Sequence, residues 1–194
     1  MRHAPATLRN RDPILAVLRR VLPKAGTVLE IASGTGEHAV YFSGALSPLQ
    51  WQPSDLSEEA LASIRAHRDE AGHSNLLAPI LLDVSARDAT WPAADAIVCI
   101  NMIHISPLET SAGLFRGGAT LPPGAPLITY GPYRVDGQHT AESNARFDES
   151  LRARNPAWGI RDVGELRALA GAAFELEEKV AMPANNFTLL WRRR

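Results

Sequence analysis

The chain has 194 residues, 45% of them apolar and 21% charged, with a formal net charge of −1. This is material for one domain with a buried core, and it excludes the basic surface of a nucleic-acid binder. The single cysteine, Cys99, rules out an internal disulfide and suits a reducing cytosol; a polar start and no apolar run near about 18 residues predict neither signal peptide nor membrane span.

A cytoplasmic protein with a small-molecule partner is therefore expected, folded as one domain over residues 1–194. Its first element is a helix: Asp12 and Pro13 form an N-cap and first-position pair, and Ile14, Val17, Leu18, Val21 and Leu22 recur at helical spacing until Pro23. Residues 1–26 thus make an N-terminal cap. Asn10 and Arg11, just ahead of the helix, are either loop polarity or the cap of a cofactor pocket.

Residues 27–38 read TVLEIASGTGEH. Val28, Leu29 and Ile31 predict a strand over 27–32, Ala32-Ser33-Gly34-Thr35-Gly36 a turn, and Glu37 and His38 the start of a helix running to Leu46. Gly34 and Gly36 admit positive φ and close approach of backbone N–H groups to a ligand, with the helix dipole aimed at the same spot. Two cofactor classes fit. Gly34, Gly36 and Ala39 satisfy the dinucleotide pattern G-x-G-x-x-G/A, with Asp55 about 20 residues on as a ribose acid, which points to NAD(P). Glu30, Ala32, Gly34 and Gly36 resemble the E/D-x-G-x-G-x-G loop of S-adenosylmethionine-dependent methyltransferases, with Ala32 replacing the first glycine. A carboxylate at the strand end suits a cationic sulfonium and ammonium and repels a pyrophosphate, which favours S-adenosylmethionine.

The chain then alternates. A strand over 51–54 ends at Asp55, a helix over 57–69 is capped by Ser57, a strand over 78–82 ends at Asp83, and an apolar strand over 94–100 leads into Asn101-Met102-Ile103-His104. A helix over 108–121 and a strand over 126–130 follow. Residues 131–161 form a long polar insertion expected over the substrate side, with a helix over 140–154 on which Phe147 and Leu151, one turn apart, read as packing. A helix over 163–173 precedes strands over 174–181 and 187–191, joined by Met182-Pro183-Ala184-Asn185-Asn186. The expected fold is α/β: a Rossmann-like doubly wound sheet of about seven strands, mostly parallel, with an antiparallel C-terminal edge hairpin.

Ligands of such sheets bind beyond the carboxyl ends of the strands. Those positions are Glu30 with Ala32, Ser33, Gly34 and Gly36; Asp55; Asp83 with Val84; Asn101, Met102 and His104; and the segment 131–134. Acids end three consecutive strands, matching a ligand with an amino end, ribose hydroxyls and an adenine amino group.

Nearly the whole chain resembles the DUF938 or methyltransferase-like 26 family, built on the class I S-adenosylmethionine methyltransferase fold. The matching segments include Asn10-Arg11-Asp12-Pro13, residues 28–38, Pro53-Ser54-Asp55, residues 101–107, Tyr130-Gly131-Pro132-Tyr133, Ser143-Asn144 with Phe147-Asp148, and residues 182–186. The resemblance implies a seven-strand sheet with the cofactor loop at 32–36, Asp55 on the ribose and Asp83 beside the adenine. Cofactor contacts are accordingly expected from Asn10, Arg11, Glu30, Ala32, Ser33, Gly34, Gly36, His38, Asp55, Asp83, Val84, Asn101 and Met102, with no metal.

Transfer of a methyl group to a hydroxyl or amine benefits from a base. His104, at the end of the fourth strand, is the first candidate; His139 in the insertion and Tyr133 follow. Tyr130, Tyr133, Arg134, Asn144, Phe147, Asn185 and Asn186 are candidates for the substrate wall. Methyltransferases acting on base amino groups commonly show [D/N]-P-P-[Y/F] at the fourth strand; Asn101-Met102-Ile103-His104 keeps only the Asn, which speaks against a nucleic-acid substrate. The expectation is a methyltransferase acting on a small molecule. Two rivals stand beside it: an NAD(P)-dependent oxidoreductase, for which Lys24 and Lys179 supply no Tyr-x-x-x-Lys dyad, and an S-adenosylmethionine-binding protein without turnover.

Overall fold

The computed structural model describes residues 5–194. Helix α1 (Pro5–Val21) starts well before the Asp12-Pro13 pair and carries Pro13 in its interior, so that pair does not begin the helix. Proline costs an internal helical hydrogen bond. The carbonyl left without an amide belongs to Arg9, an exposed residue, while Ile14, Leu15, Val17 and Leu18 are buried against the sheet and hold the helix in place.

The remaining elements are β1 (Thr27–Ile31), α2 (Glu37–Ala45), β2 (Gln50–Asp55), α3 (Glu58–Ala71), β3 (Ile80–Leu81), β4 (Ala96–Ile100), α4 (Leu108–Gly118) and β5 (Pro126–Gly131). After them come β6 (Arg134–Val135), β7 (Gln138–His139), α5 (Glu142–Arg154), α6 (Val163–Ala170), β8 (Phe174–Met182) and β9 (Asn186–Arg193). Seven strands form one sheet in the order β3-β2-β1-β4-β5-β9-β8. β1 to β5 pair in parallel, β9 runs antiparallel to β5, and β8 antiparallel to β9. The expected Rossmann-like sheet with its antiparallel edge hairpin is therefore present. The order reverses between β1 and β4, which opens a crevice at their carboxyl ends.

Side-chain alternation along the parallel strands sorts the core into two layers. Leu29, Ile31, Ile97, Cys99 and Leu127 face α4 and α6, where Leu114, Phe115 and Leu166 meet them. Val28, Val98, Ile100 and Ile128 face α1 and α2, with Phe42 and Trp51. Glu30, in step with Val28, goes the same way as that second layer.

In the insertion the structure adds a hairpin and moves one helix start. The strands β6 and β7 form a small antiparallel hairpin around Asp136-Gly137, both at positive φ (52° and 77°), the geometry that the Asp-Gly dipeptide favours. α5 starts at Glu142 after an Ala141 cap, not at Thr140, whose hydroxyl instead accepts a bond from Asn144 Nδ2 (3.2 Å). α6 carries a capping box in which Asp162 and Glu165 exchange bonds with each other's backbone. Among the described residues no helix is long and apolar enough to cross a membrane, and no cluster of His, Cys, Asp or Glu is set to hold a metal ion.

Candidate functional site

The turn after β1 adopts three left-handed residues, Ala32 (φ 54°), Gly34 (φ 60°) and Gly36 (φ 93°). Ala32 thus takes the backbone shape that the missing glycine of the motif would take, at a cost of about 1 kcal/mol for a residue with a Cβ. Gly36 is required by packing as well, because a Cβ there would lie 2.9 Å from the Ile64 Cα on α3. Ser33 ties the turn to β2: its N–H donates to the Ser54 carbonyl (2.8 Å), and its hydroxyl accepts from the Ser54 N–H (3.2 Å). Asp55 then accepts from the N–H of Gly34 (2.9 Å) through Oδ2 and from that of Ser57 (3.0 Å) through Oδ1.

These bonds frame a cavity of about 480 Å³ at the carboxyl ends of β1 to β4. Ala32, Gly34, Asp55, Asp83, Val84 and Met102, all expected at the cofactor, line it. Asp83 takes the N–H (2.9 Å) and hydroxyl (2.6 Å) of Ser85 on Oδ1, which hold its carboxyl below the usual range and keep it ionised. A Cβ added at Gly34 finds nothing nearer than the Ala32 carbonyl at 3.9 Å, so the turn leaves room for a ligand against its backbone. Leu56 and Ile105 also line the cavity although 62% and 43% exposed. Neither was among the residues expected at the cofactor. They follow Asp55 and His104 directly, so extending each strand-end list by one residue finds them.

Other expected contacts lie elsewhere. The Glu30 carboxylate, 1% exposed, accepts from Trp51 Nε1 (2.7 Å) in the layer beneath α1 and α2 and is absent from the cavity lining. Burial pushes its carboxyl up to about 7, against the opposing bonds from Trp51 and Ser33. His38 Nε2 meets Asn10 Oδ1 at 2.8 Å, and the imidazole stacks on Phe42. Its pKa falls to about 4, chiefly through burial. Arg11 lies over the Tyr41 ring, 4.4 Å from its centroid, on the outer side of α2. Asn10 also reaches Tyr130, whose hydroxyl burial pushes up. Asn10, Arg11 and His38 therefore join α1 to α2, and the cavity itself is lined by other residues.

On the acceptor side, His104 ends a short 3-10 turn after β4, which opens at Asn101 in the left-handed region (φ 64°). It is 5% exposed and meets Phe147 of α5 edge-on, with centroids 5.6 Å apart. Burial, with Arg161 adding to it, lowers His104 to about 4, so the imidazole is uncharged at neutral pH. Gly131 allows this packing: a Cβ there would lie 3.0 Å from His104 Nδ1. Phe147, read from sequence as packing, is 39% exposed and presents its ring beside His104.

The structure corrects the remaining candidates. Tyr133 is 1% exposed inside the layer with Leu127 and Trp191, so it is a core residue and does not line the cavity. His139 Nε2 pairs with Asp148 Oδ2 (3.4 Å), which also accepts from Arg152 Nε (3.2 Å), while Asp148 Oδ1 accepts from the Ile160 N–H (2.7 Å). It braces the insertion. Asn144 Nδ2 donates to the Asn185 carbonyl (2.9 Å) and Asn185 Nδ2 to Ser143 Oγ (3.3 Å), clasping α5 to the β8–β9 turn. Asn186 turns back on the carbonyls of Pro183 and Ala184, and Arg134 pairs with Glu165 (3.3 Å).

Solved structures with this architecture include the S-adenosylmethionine-dependent methyltransferase SibL in its apo form (TM-score 0.78, 20% identity, 96% of this chain and 55% of that one). The mitomycin 7-O-methyltransferase MmcR matches with a TM-score of 0.79 at 16% identity, over 97% of this chain and 54% of that one. CalO1, a methyltransferase in calicheamicin biosynthesis in its S-adenosylhomocysteine-bound form, matches with a TM-score of 0.76 at 18% identity, over 95% and 54%. The chain spans just over half the length of these enzymes. At such identities the likeness establishes the fold, which is that of S-adenosylmethionine-dependent methyltransferases. The family described as DUF938, protein of unknown function, matches residues 1–193, and the chain belongs to it.

Proposed function

We propose that the chain transfers a methyl group from S-adenosylmethionine to a small-molecule acceptor. The observation that carries this reading is the cavity lining. Asp55 and Asp83, from the ends of neighbouring strands, face one largely apolar space beside the Gly34 turn, and no lysine or arginine is among the residues that line it. Carboxylates accept from ribose hydroxyls and an amino group and tolerate a sulfonium, whereas the pyrophosphate of NAD(P) calls for donors and positive charge. The volume is that of a small-molecule site. The relatives support the same reading, one of them in a form bound to S-adenosylhomocysteine.

Asp55 would hold the ribose, Asp83 the base amino group, and Leu56, Val84, Met102 and Ile105 the flat apolar faces. The bound cofactor supplies an electrophilic methyl on sulfur, so the protein's task is alignment in a dry site more than proton chemistry. His104, held uncharged by burial and absent from the cavity lining, is too weak a base to draw a proton from a hydroxyl, so its ring packs against Phe147 and no proton step is assigned to it.

Titration calorimetry with S-adenosylhomocysteine and with NADH tests the cofactor; binding of NADH alone sinks the proposal. A turnover screen with labelled S-adenosylmethionine against metabolite extracts tests the reaction. Tight binding with no label transfer to any fraction replaces it with the reading of a cofactor-binding protein.

A further inference from the structure

The base end of the cavity is held by a helix rather than by the sheet. β3 pairs with β2 only through Ile80 and Leu81, and the last backbone bond to β2 runs from the Leu82 N–H to the Asp55 carbonyl (3.0 Å). Yet Leu82, Asp83, Val84 and Ser85 line the cavity. Beyond the ladder, α4 takes over. Arg116 Nη2 donates to three successive carbonyls, of Ser85 and Ala86 at 3.2 Å each and of Val84 at 3.5 Å. One turn earlier Gly113 faces the same backbone: a Cβ there would lie 1.8 Å from the Val84 carbonyl oxygen and 2.7 Å from its carbon. A further turn back, Thr110 lines the cavity itself.

We propose that Gly113 and Arg116 are positioning residues that set the base selectivity of the cofactor site, by holding Asp83 and Val84 where an exocyclic amino group of a purine is read. This rests on the methyltransferase reading above. Arg116 gathers the carbonyls of the segment on its outer side, and Gly113 sets how closely the helix lets that segment lie. The Asp83 carboxylate is then an acceptor only, fixed by Ser85 on Oδ1. A carboxylate in that state binds an amino donor and rejects a keto oxygen, so the site takes adenine over hypoxanthine. If the segment shifts, the apolar contacts adapt but the directional bond does not.

The test is calorimetric titration of the full chain with S-adenosylhomocysteine and with S-inosylhomocysteine, in which a keto oxygen replaces the amino group. The unaltered chain is expected to prefer the adenosine compound by on the order of tenfold or more. Arg116→Ala and Gly113→Ala bring the ratio to within about threefold, while Arg116→Lys, which keeps a donor cation at the carbonyls, retains most of it. Leu114→Ala, in the core face of the same helix, lowers Tm and leaves the ratio intact, which separates positioning from general loss of structure. A ratio unchanged in Arg116→Ala, or lowered as much by Leu114→Ala, overturns the proposal. Equal affinity of the unaltered chain for both compounds overturns it while leaving the methyltransferase reading in place; binding of neither overturns that reading as well.

Discussion

Replacing Asp55 separates what holds the turn from what holds a ligand. Its carboxylate accepts from Gly34 N–H at 2.9 Å and from Ser57 N–H at 3.0 Å, and it also lines the cavity. Asp55→Ala frees two partly exposed N–H groups that water then reaches, so the stability cost is modest, about 1–2 kcal/mol, or roughly 3–6 °C in Tm for a chain of this size. The binding cost is larger. Two ribose hydroxyls lose a charged acceptor worth about 1.5–3 kcal/mol each at most, which predicts roughly 10²–10³-fold weaker S-adenosylhomocysteine after discounting for exposure. Asp55→Asn, which keeps one carbonyl acceptor, falls between the two. Calorimetric titration with parallel thermal melts reads both quantities. If Asp55→Ala binds within about threefold of the unaltered chain while Tm falls as expected, Asp55 is a turn residue alone and the ribose assignment is refuted.

Other expectations follow from the same geometry. Ala32→Gly relieves a left-handed φ of 54° and should raise Tm by roughly 1–3 °C in scanning calorimetry, since the strain relieved exceeds the chain entropy glycine adds; a lower Tm would show that the turn carries no such strain. Glu30, raised from 4.5 to about 7 when folded, holds its proton more tightly in the native state, so its contribution is complete below about pH 4.5 and is lost as pH rises towards 7. Glu30→Gln keeps an acceptor for Trp51 and should gain stability relative to the unaltered chain across that window, by up to about 3 kcal/mol; parallel stability–pH curves would contradict the assignment. Gly117→Ala places a Cβ 1.8 Å from the Trp91 ring and should cost about 1–3 kcal/mol in denaturant unfolding, with no cost meaning that Trp91 moves freely.

Much of the fold was legible because it is written in local pattern. Apolar runs located β1, β4 and β5, and the turn at 32–36 followed from the backbone freedom that glycine supplies. The acids at the strand ends reached the expected cavity at Asp55 and Asp83. Glu30 did not. Strand alternation puts Glu30 on the pleat face of Val28, but only the placement of Trp51 beside it decides that this face is core and not ligand. β3 is shorter than its apolar run at 78–82 suggests, since only two positions pair with β2 and the segment beyond them is held by Arg116 of α4.

What the sequence by itself determined is the order of the elements, the left-handed turn and the acids at the strand ends, since dihedral preference and alternation act between near neighbours. Tertiary structure alone decided that Phe147 of α5 sits against His104, that Asn144 of α5 clasps Asn185 of the β8–β9 turn, and that Tyr133 is core. Those outcomes depend on which distant segments share a layer of the sheet, and that is settled by burial of the whole chain at once, which no local pattern contains.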